Sequence, residues 1–135
     1  MADVSKLIDA ALEAQAKAYA PYSRHPVGAA LLTTGGVVVS GCNVENAAYP
    51  LSFCAEANAI GNMVMQGANQ IKHIVIAGPG THVCTPCGGC RQQIREFAGQ
   101  AGAPVTIVDH KGTVLLETTS AELLPHSFGP ENLSE

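Results

Sequence analysis

Three cysteines and one glutamate constrain this chain more than anything else in it. Cys54-Ala55-Glu56 is followed, 33 residues after Cys54, by Pro86-Cys87-Gly88-Gly89-Cys90. Three thiolates can hold one Zn²⁺, and a tetrahedral ion then keeps one position for water. A glutamate two residues past the first ligand can stand beside that water without binding the metal. There it can accept protons and return them. Each motif also sits at a predicted helix start: Cys54 opens one helix, and Cys87 and Cys90 open another. The free N–H groups and positive dipole at such ends favour thiolate. A chain built this way must aim two helix N-termini, distant in sequence, at one point.

The remaining elements can be read around that requirement. Val4, Leu7, Ile8, Ala11, Leu12 and Ala18 recur at helical spacing, and Pro21 stops that helix. Residues 27–33 and 37–42 are β-rich runs around Thr34-Gly35-Gly36 and read as a hairpin. A helix is predicted over 55–66, with Gly67 as its C-terminal cap. Residues 71–77 form a short buried strand, and 88–98 form a helix with Ile94 and Phe97 facing inward and Gly99 ending it. Residues 105–108 and 113–117 are two further strands around His110-Lys111-Gly112. Thr119-x-x-Glu122 is a capping-box pattern for one last helical turn before Pro125. Strands separated by helices predict an α/β layered sheet, and the opening hairpin makes that sheet mixed.

Composition narrows the function classes. With 135 residues, 47% hydrophobic and 13% charged, the chain is expected to be one domain over 1–135 with a real core. The low charged fraction suggests surface hidden in subunit contacts. A net charge of −4 argues against nucleic acid, whose phosphates need basic patches. No apolar run approaches the roughly 20 residues that span a membrane. The N-terminus lacks a basic region and an apolar stretch, so a cytoplasmic location is expected. Five cysteines is an odd count, which fits metal binding in a reducing compartment better than a closed disulfide set.

Other readings of these residues need weighing. Cys-x-x-Cys alone also describes a redox dithiol, but here the pair comes late, follows Pro86 and has a distant Cys-Ala-Glu partner. Cys84 makes a second, overlapping Cys-x-x-Cys with Cys87, and a closed structural Cys₄ site is the non-enzymatic alternative. Pro86 favours an extended Thr85, which would carry Cys84 away from the ion and leave it a spare thiol. Cys42, at a strand end, reads as a small core residue. His73, His82, His110 and His126 read as solvent-exposed. Asn43 and Glu45, taken alone, are a polar turn after a strand.

Beyond the metal motif, which is the signature of zinc-dependent base deaminases, several stretches carry a wider resemblance. They are Ala20-Pro21-Tyr22-Ser23-Arg24, residues 27–32, Gly41-Cys42-Asn43-Val44-Glu45-Asn46-Ala47-Ala48-Tyr49, and Pro86 to Gln92. Glu122-Leu123-Leu124-Pro125 and Phe128-Gly129-Pro130-Glu131 add to them. From about Tyr19 to Leu133 the chain resembles the small, homotetrameric, zinc-dependent cytidine deaminases that act on free nucleosides. Blasticidin S deaminases share the metal motif but lack the Asn-Val-Glu-Asn segment.

The resemblance implies a three-layer αβα fold with a mixed five-stranded sheet. It also implies one zinc per subunit on Cys54, Cys87 and Cys90, with Glu56 as the proton shuttle. Asn43 and Glu45 would hold the ribose hydroxyls, as an amide and a carboxylate can. The N–H of Ala55, the carbonyl of Thr85 and the ring of His25 would meet the pyrimidine. Phe128 would reach a neighbouring subunit's pocket. The implied reaction is hydrolytic deamination of cytidine and deoxycytidine to uridine and deoxyuridine, with ammonia released, in pyrimidine salvage. Two positions depart from the family's habit. Ala57 stands where an arginine often relieves the thiolate charge, which leaves helix dipoles, Arg24 or Arg91 to do so. His25 stands where Phe is common, which opens a modified nucleoside as an alternative substrate.

Overall fold

The computed structural model describes residues 4–133. Its sheet has five strands: β1 (Gly28–Thr33), β2 (Val38–Cys42), β3 (Ile71–Ala77), β4 (Pro104–Val108) and β5 (Val114–Thr119). Their order is β2-β1-β3-β4-β5. β3 and β4 run parallel, and the other neighbours are antiparallel. Four α-helices complete it: α1 (Val4–Ala16), α2 (Ala55–Met65), α3 (Gly88–Ala98) and the short α4 (Ser120–Leu123).

Strand alternation divides the core in two. Ala29, Leu31, Ile74, Ile76, Val105 and Ile107 face one side and pack with Ala59, Ile60 and Met63 of α2 and Ile94 of α3. Ala30, Leu32, Val75, Ala77 and Val108 face the other and pack with Leu7 and Ala11 of α1. A side chain reverses face at each strand residue, so one run of apolar residues serves both layers. The result is the expected α–β–α arrangement around a mixed sheet. Gly28 sets how close α1 can come: a Cβ there would lie 2.0 Å from the Ala11 carbonyl oxygen and 2.4 Å from the Gln15 nitrogen.

Several expected boundaries move. α1 ends at Ala16, short of Ala18 and Pro21. The chain beyond it is drawn into a bridge: the Tyr19 N–H donates to the Asn43 carbonyl at 3.0 Å, and the Glu45 N–H to the Tyr19 carbonyl at 2.9 Å. α2 stops one residue early, with Gln66 as its cap before Gly67 at φ 88°. β5 runs on to Thr119, which caps α4 by accepting the Glu122 N–H at 3.1 Å. Only that half of the capping box forms, because the Glu122 carboxylate meets the Thr118 and Thr119 hydroxyls instead. Cys42 is half-buried rather than core, since β2 is an edge strand.

Candidate metal centre and active site

α2 and α3 begin on the same side of the sheet, and their starts bring the cysteines together. Cys54 is the N-cap residue of α2 and Cys87 the N-cap residue of α3, both with extended backbone. Cys90 follows three residues later, where a helix turns its side chain back toward the cap. The three sulfurs all lie within 4.8 Å of one another, and those of Cys54 and Cys87 are 4.0 Å apart. Four ligands at a Zn–S length of about 2.3 Å place sulfurs about 3.8 Å apart at tetrahedral angles. The donor set therefore fits one zinc ion. Cys84 lies outside the cluster, so a four-sulfur site does not form among the described residues.

The electrostatics of the cluster favour a cation. The Cys90 N–H, chiefly, holds the Cys87 thiol below its ordinary range. Burial pushes the Cys54 thiol up. Burial, reinforced by the charges of Glu56 and Cys54, pushes Cys90 up strongly. Four acidic groups crowd one corner, with Cys90 and Glu56 buried and Cys54 and Cys87 exposed, and a divalent ion is what lets them ionise together. Of the candidates for relieving the thiolate charge, Arg91 is engaged elsewhere. Arg91 donates to the carbonyls of Pro86 at 2.7 Å and Leu123 at 2.9 Å. Arg24 is an exposed residue at φ 57°. Charge relief falls to the two helix starts.

Glu56 sits in the first turn of α2 and is only 5% exposed. Burial raises its carboxyl above the usual range, and the Cys90 sulfur lies within its reach. It is not among the grouped ligand atoms. A buried carboxyl beside a metal cluster, with its affinity for protons raised, is suited to proton transfer.

A cleft of about 420 Å³ opens onto Cys54, within the range of small-molecule sites. Asn43 and Glu45 line it with Tyr22, Ser23, Tyr49, Ser52 and Phe53. Glu45 accepts the N–H groups of Tyr22 at 3.0 Å and Ser23 at 3.1 Å, as well as the Ser23 hydroxyl. These bonds, the hydroxyl's first, hold its carboxyl below the usual range. Asn43 accepts the Val27 N–H at 2.9 Å and donates to the His25 carbonyl at 3.0 Å. Both residues thus tie down the 22–27 segment. A second amide hydrogen and further carboxylate lone pairs remain for a ligand.

The other expected substrate residues do not line this cleft. The His25 ring is 3.5 Å from the Cys84 sulfur, whose thiol is pushed up by burial and by the charges of Glu56 and Cys54. Ala55 is the buried first residue of α2, and Thr85 is exposed just before Pro86. Phe128 is exposed, and α3 holds its segment: Gln92 donates to the Phe128 carbonyl at 2.9 Å, and Arg95 bonds Ser127 and Glu131. Tyr49, Ser52 and Phe53 had no assigned role in the sequence reading. Their signal is the mostly apolar run leading into Cys54, which stays exposed, Tyr49 at 72% and Phe53 at 59%.

Known proteins agree with this geometry. Residues 1–103 match the family model described as the cytidine and deoxycytidylate deaminase zinc-binding region. A cytidine deaminase of Sporosarcina psychrophila is 43% identical over 132 residues, covering 98% of this chain and 96% of its own. One of Halalkalibacterium halodurans is 38% identical over 133 residues, covering 98% and 99%. The crystal structure of a cytidine deaminase from Burkholderia pseudomallei superposes with a TM-score of 0.86 at 40% identity, over 94% of this chain and 100% of that one. With the family model matching residues 1–103, and relatives and fold agreeing over nearly the whole length, the chain belongs to the zinc-dependent cytidine and deoxycytidylate deaminase family.

Proposed function

We propose that this chain hydrolyses the exocyclic amine of cytidine and deoxycytidine, giving uridine, deoxyuridine and ammonia. The observation that carries the reading is a buried Glu56 beside a three-sulfur cluster, at the end of a cleft lined by Asn43 and Glu45. Zinc, one ion per chain on Cys54, Cys87 and Cys90, supplies when bound a Lewis acid that makes water a nucleophile near neutral pH. Glu56 takes a proton from the attacking water and delivers it to ring N3. That protonation makes C4 electrophilic. After the water oxygen has bonded to C4, Glu56 takes that oxygen's remaining proton and passes it to the amine, so that the C4–N bond breaks, ammonia leaves and C4 keeps a carbonyl. One group acts first as base and then as acid, which its raised proton affinity supports.

Asn43 and Glu45 hold the sugar hydroxyls in this reading, and their bonds to the 22–27 segment fix them in advance. The Ala55 N–H, the Thr85 carbonyl and the His25 ring meet the pyrimidine. The chain works as one domain, 1–135, in a homotetramer to which Phe128 contributes across subunits. The exposed Tyr19, Tyr22, Tyr49, Leu51 and Phe53 support that assembly, since isolated small proteins seldom leave so many large apolar groups together. No helix among the described residues is long and apolar enough to cross a membrane. A cytoplasmic role in pyrimidine salvage, without nucleic acid, fits this and the acidic net charge. The test is ammonia release from a panel of free nucleosides. Turnover of cytidine and deoxycytidine is expected, and no turnover by the zinc-loaded protein would refute the reading.

A further inference from the structure

Asn58 joins the two edges of the site through its own two amides. Its backbone N–H donates to the carbonyl of Cys54 at 3.1 Å. Its side-chain Nδ2 donates to the carbonyl of Cys42 at 2.7 Å. Cys54 is a metal ligand two residues before Glu56, and Cys42 directly precedes Asn43. One turn further on, Asn62 Nδ2 repeats the bond to the Ser40 carbonyl at 2.8 Å.

The geometry of these bonds is a register lock. Four residues of helix rise about 6 Å, and two residues of antiparallel strand about 6.8 Å. Two amides spaced i and i+4 on α2 therefore match two carbonyls spaced i and i+2 on β2. Those carbonyls lie on an edge strand whose inner side is taken by β1. Between them, Gly41 lets the helix backbone touch the strand: a Cβ there would lie 2.4 Å from the Ala59 nitrogen and 2.9 Å from the Ala55 oxygen. Gly41 sets how near α2 approaches, and the two asparagines set where it stops along the strand.

We infer that Asn58, assisted by Asn62, is a positioning residue that fixes the spacing between the metal and proton-transfer edge of the site and its Asn43–Glu45 edge. The inference rests on the deaminase reading above and on the sugar role of Asn43 and Glu45 within it. A substrate held at both edges feels that spacing, whereas one held only at the base does not.

Asn58→Asp keeps the shape and removes the donor. Its kcat/KM is measured on cytidine and on 2′,3′-dideoxycytidine, which lacks both hydroxyls, with zinc content followed in parallel. The expected result is a loss on the order of 10-fold on cytidine, against less than about 2-fold on the dideoxy analogue, because misplacement costs only what positioning supplied. Zinc stays at one per chain. Equal losses on both substrates, or none on either, would overturn the positioning role. If Asn58→Asp does not fold, Asn62→Ala is read in the same way: a loss confined to cytidine supports the role, and equal or absent losses overturn it. A wild type inactive on cytidine would overturn the deaminase reading itself. A wild type that turns over both nucleosides equally would leave deamination standing and overturn the sugar role and this inference.

Discussion

Glu56→Gln separates chemistry from architecture. The amide has nearly the volume of the carboxyl, and the site is only 5% exposed, so packing is retained. Glu56 is not among the grouped metal-ligand atoms, so zinc is retained too. In the proposed mechanism, what goes is a group that takes and returns protons at two stages of one turnover. A single positioned acid–base group contributes about 10²–10⁴-fold. Serving twice places the expected loss of kcat near the top of that range, about 4–5.5 kcal/mol of barrier. The assay is steady-state kcat on cytidine, with zinc measured by elemental analysis and folding by thermal melting. Full zinc, an unchanged melting profile and a loss of about 10³-fold or more are expected. Parallel loss of zinc and activity would show Glu56 to be a structural support of the cluster. A loss below about 10-fold would show the proton path to lie elsewhere.

Cys84→Ser is expected to leave one zinc per chain and the sulfur-to-zinc absorption unchanged, since Cys84 lies outside the three-sulfur cluster; loss of one sulfur's share of that absorption would refute this. Gly28→Ala forces a Cβ to within 2.0 Å of the Ala11 oxygen. It is expected to cost more than about 3 kcal/mol in chemical denaturation, because backbone must move; a near-neutral result would contradict the packing of α1. Asp109 accepts the N–H groups of Thr113 and Lys111, which lower its carboxyl in the fold. A lowered folded value stabilises above the unfolded value and loses that stabilisation as pH falls through the folded one. Asp109→Asn should therefore narrow its stability gap to wild type in acid, and a gap that widens there would be contrary. For the assembly, Phe128→Ala is expected to lower kcat/KM, and dilution of wild type to lower activity with oligomer mass; a fully active monomer in light scattering would rule it out.

The element list and the cysteine pair of the cluster were legible in the sequence because both rest on local rules. Period-2 and period-3.6 patterns mark strands and helices. Cys-x-x-Cys at a helix start places its sulfurs together whatever surrounds it, so Cys87 and Cys90 converge by local geometry alone. The pairing of Cys54 with them was implied by the motif but made by the sheet, which sets α2 and α3 side by side.

Other features had no local signal. The bonds of Asn43 and Glu45 to residues 22–27 cross about twenty positions, and they turn what reads as a polar turn into a clamp. Arg91 looked available for the thiolates, yet the packing of α3 against α4 turns its guanidinium to carbonyls. The places of Tyr49 and Phe53 beside the cleft had no local signal, because apolar character says only that a residue avoids water, not which surface covers it. Asn58 is an ordinary helix residue until β2 lies beside it. The sequence determined which groups exist and which local shapes carry them. Long-range strand order decided which groups meet, because a contact between distant segments depends on every element packed between them.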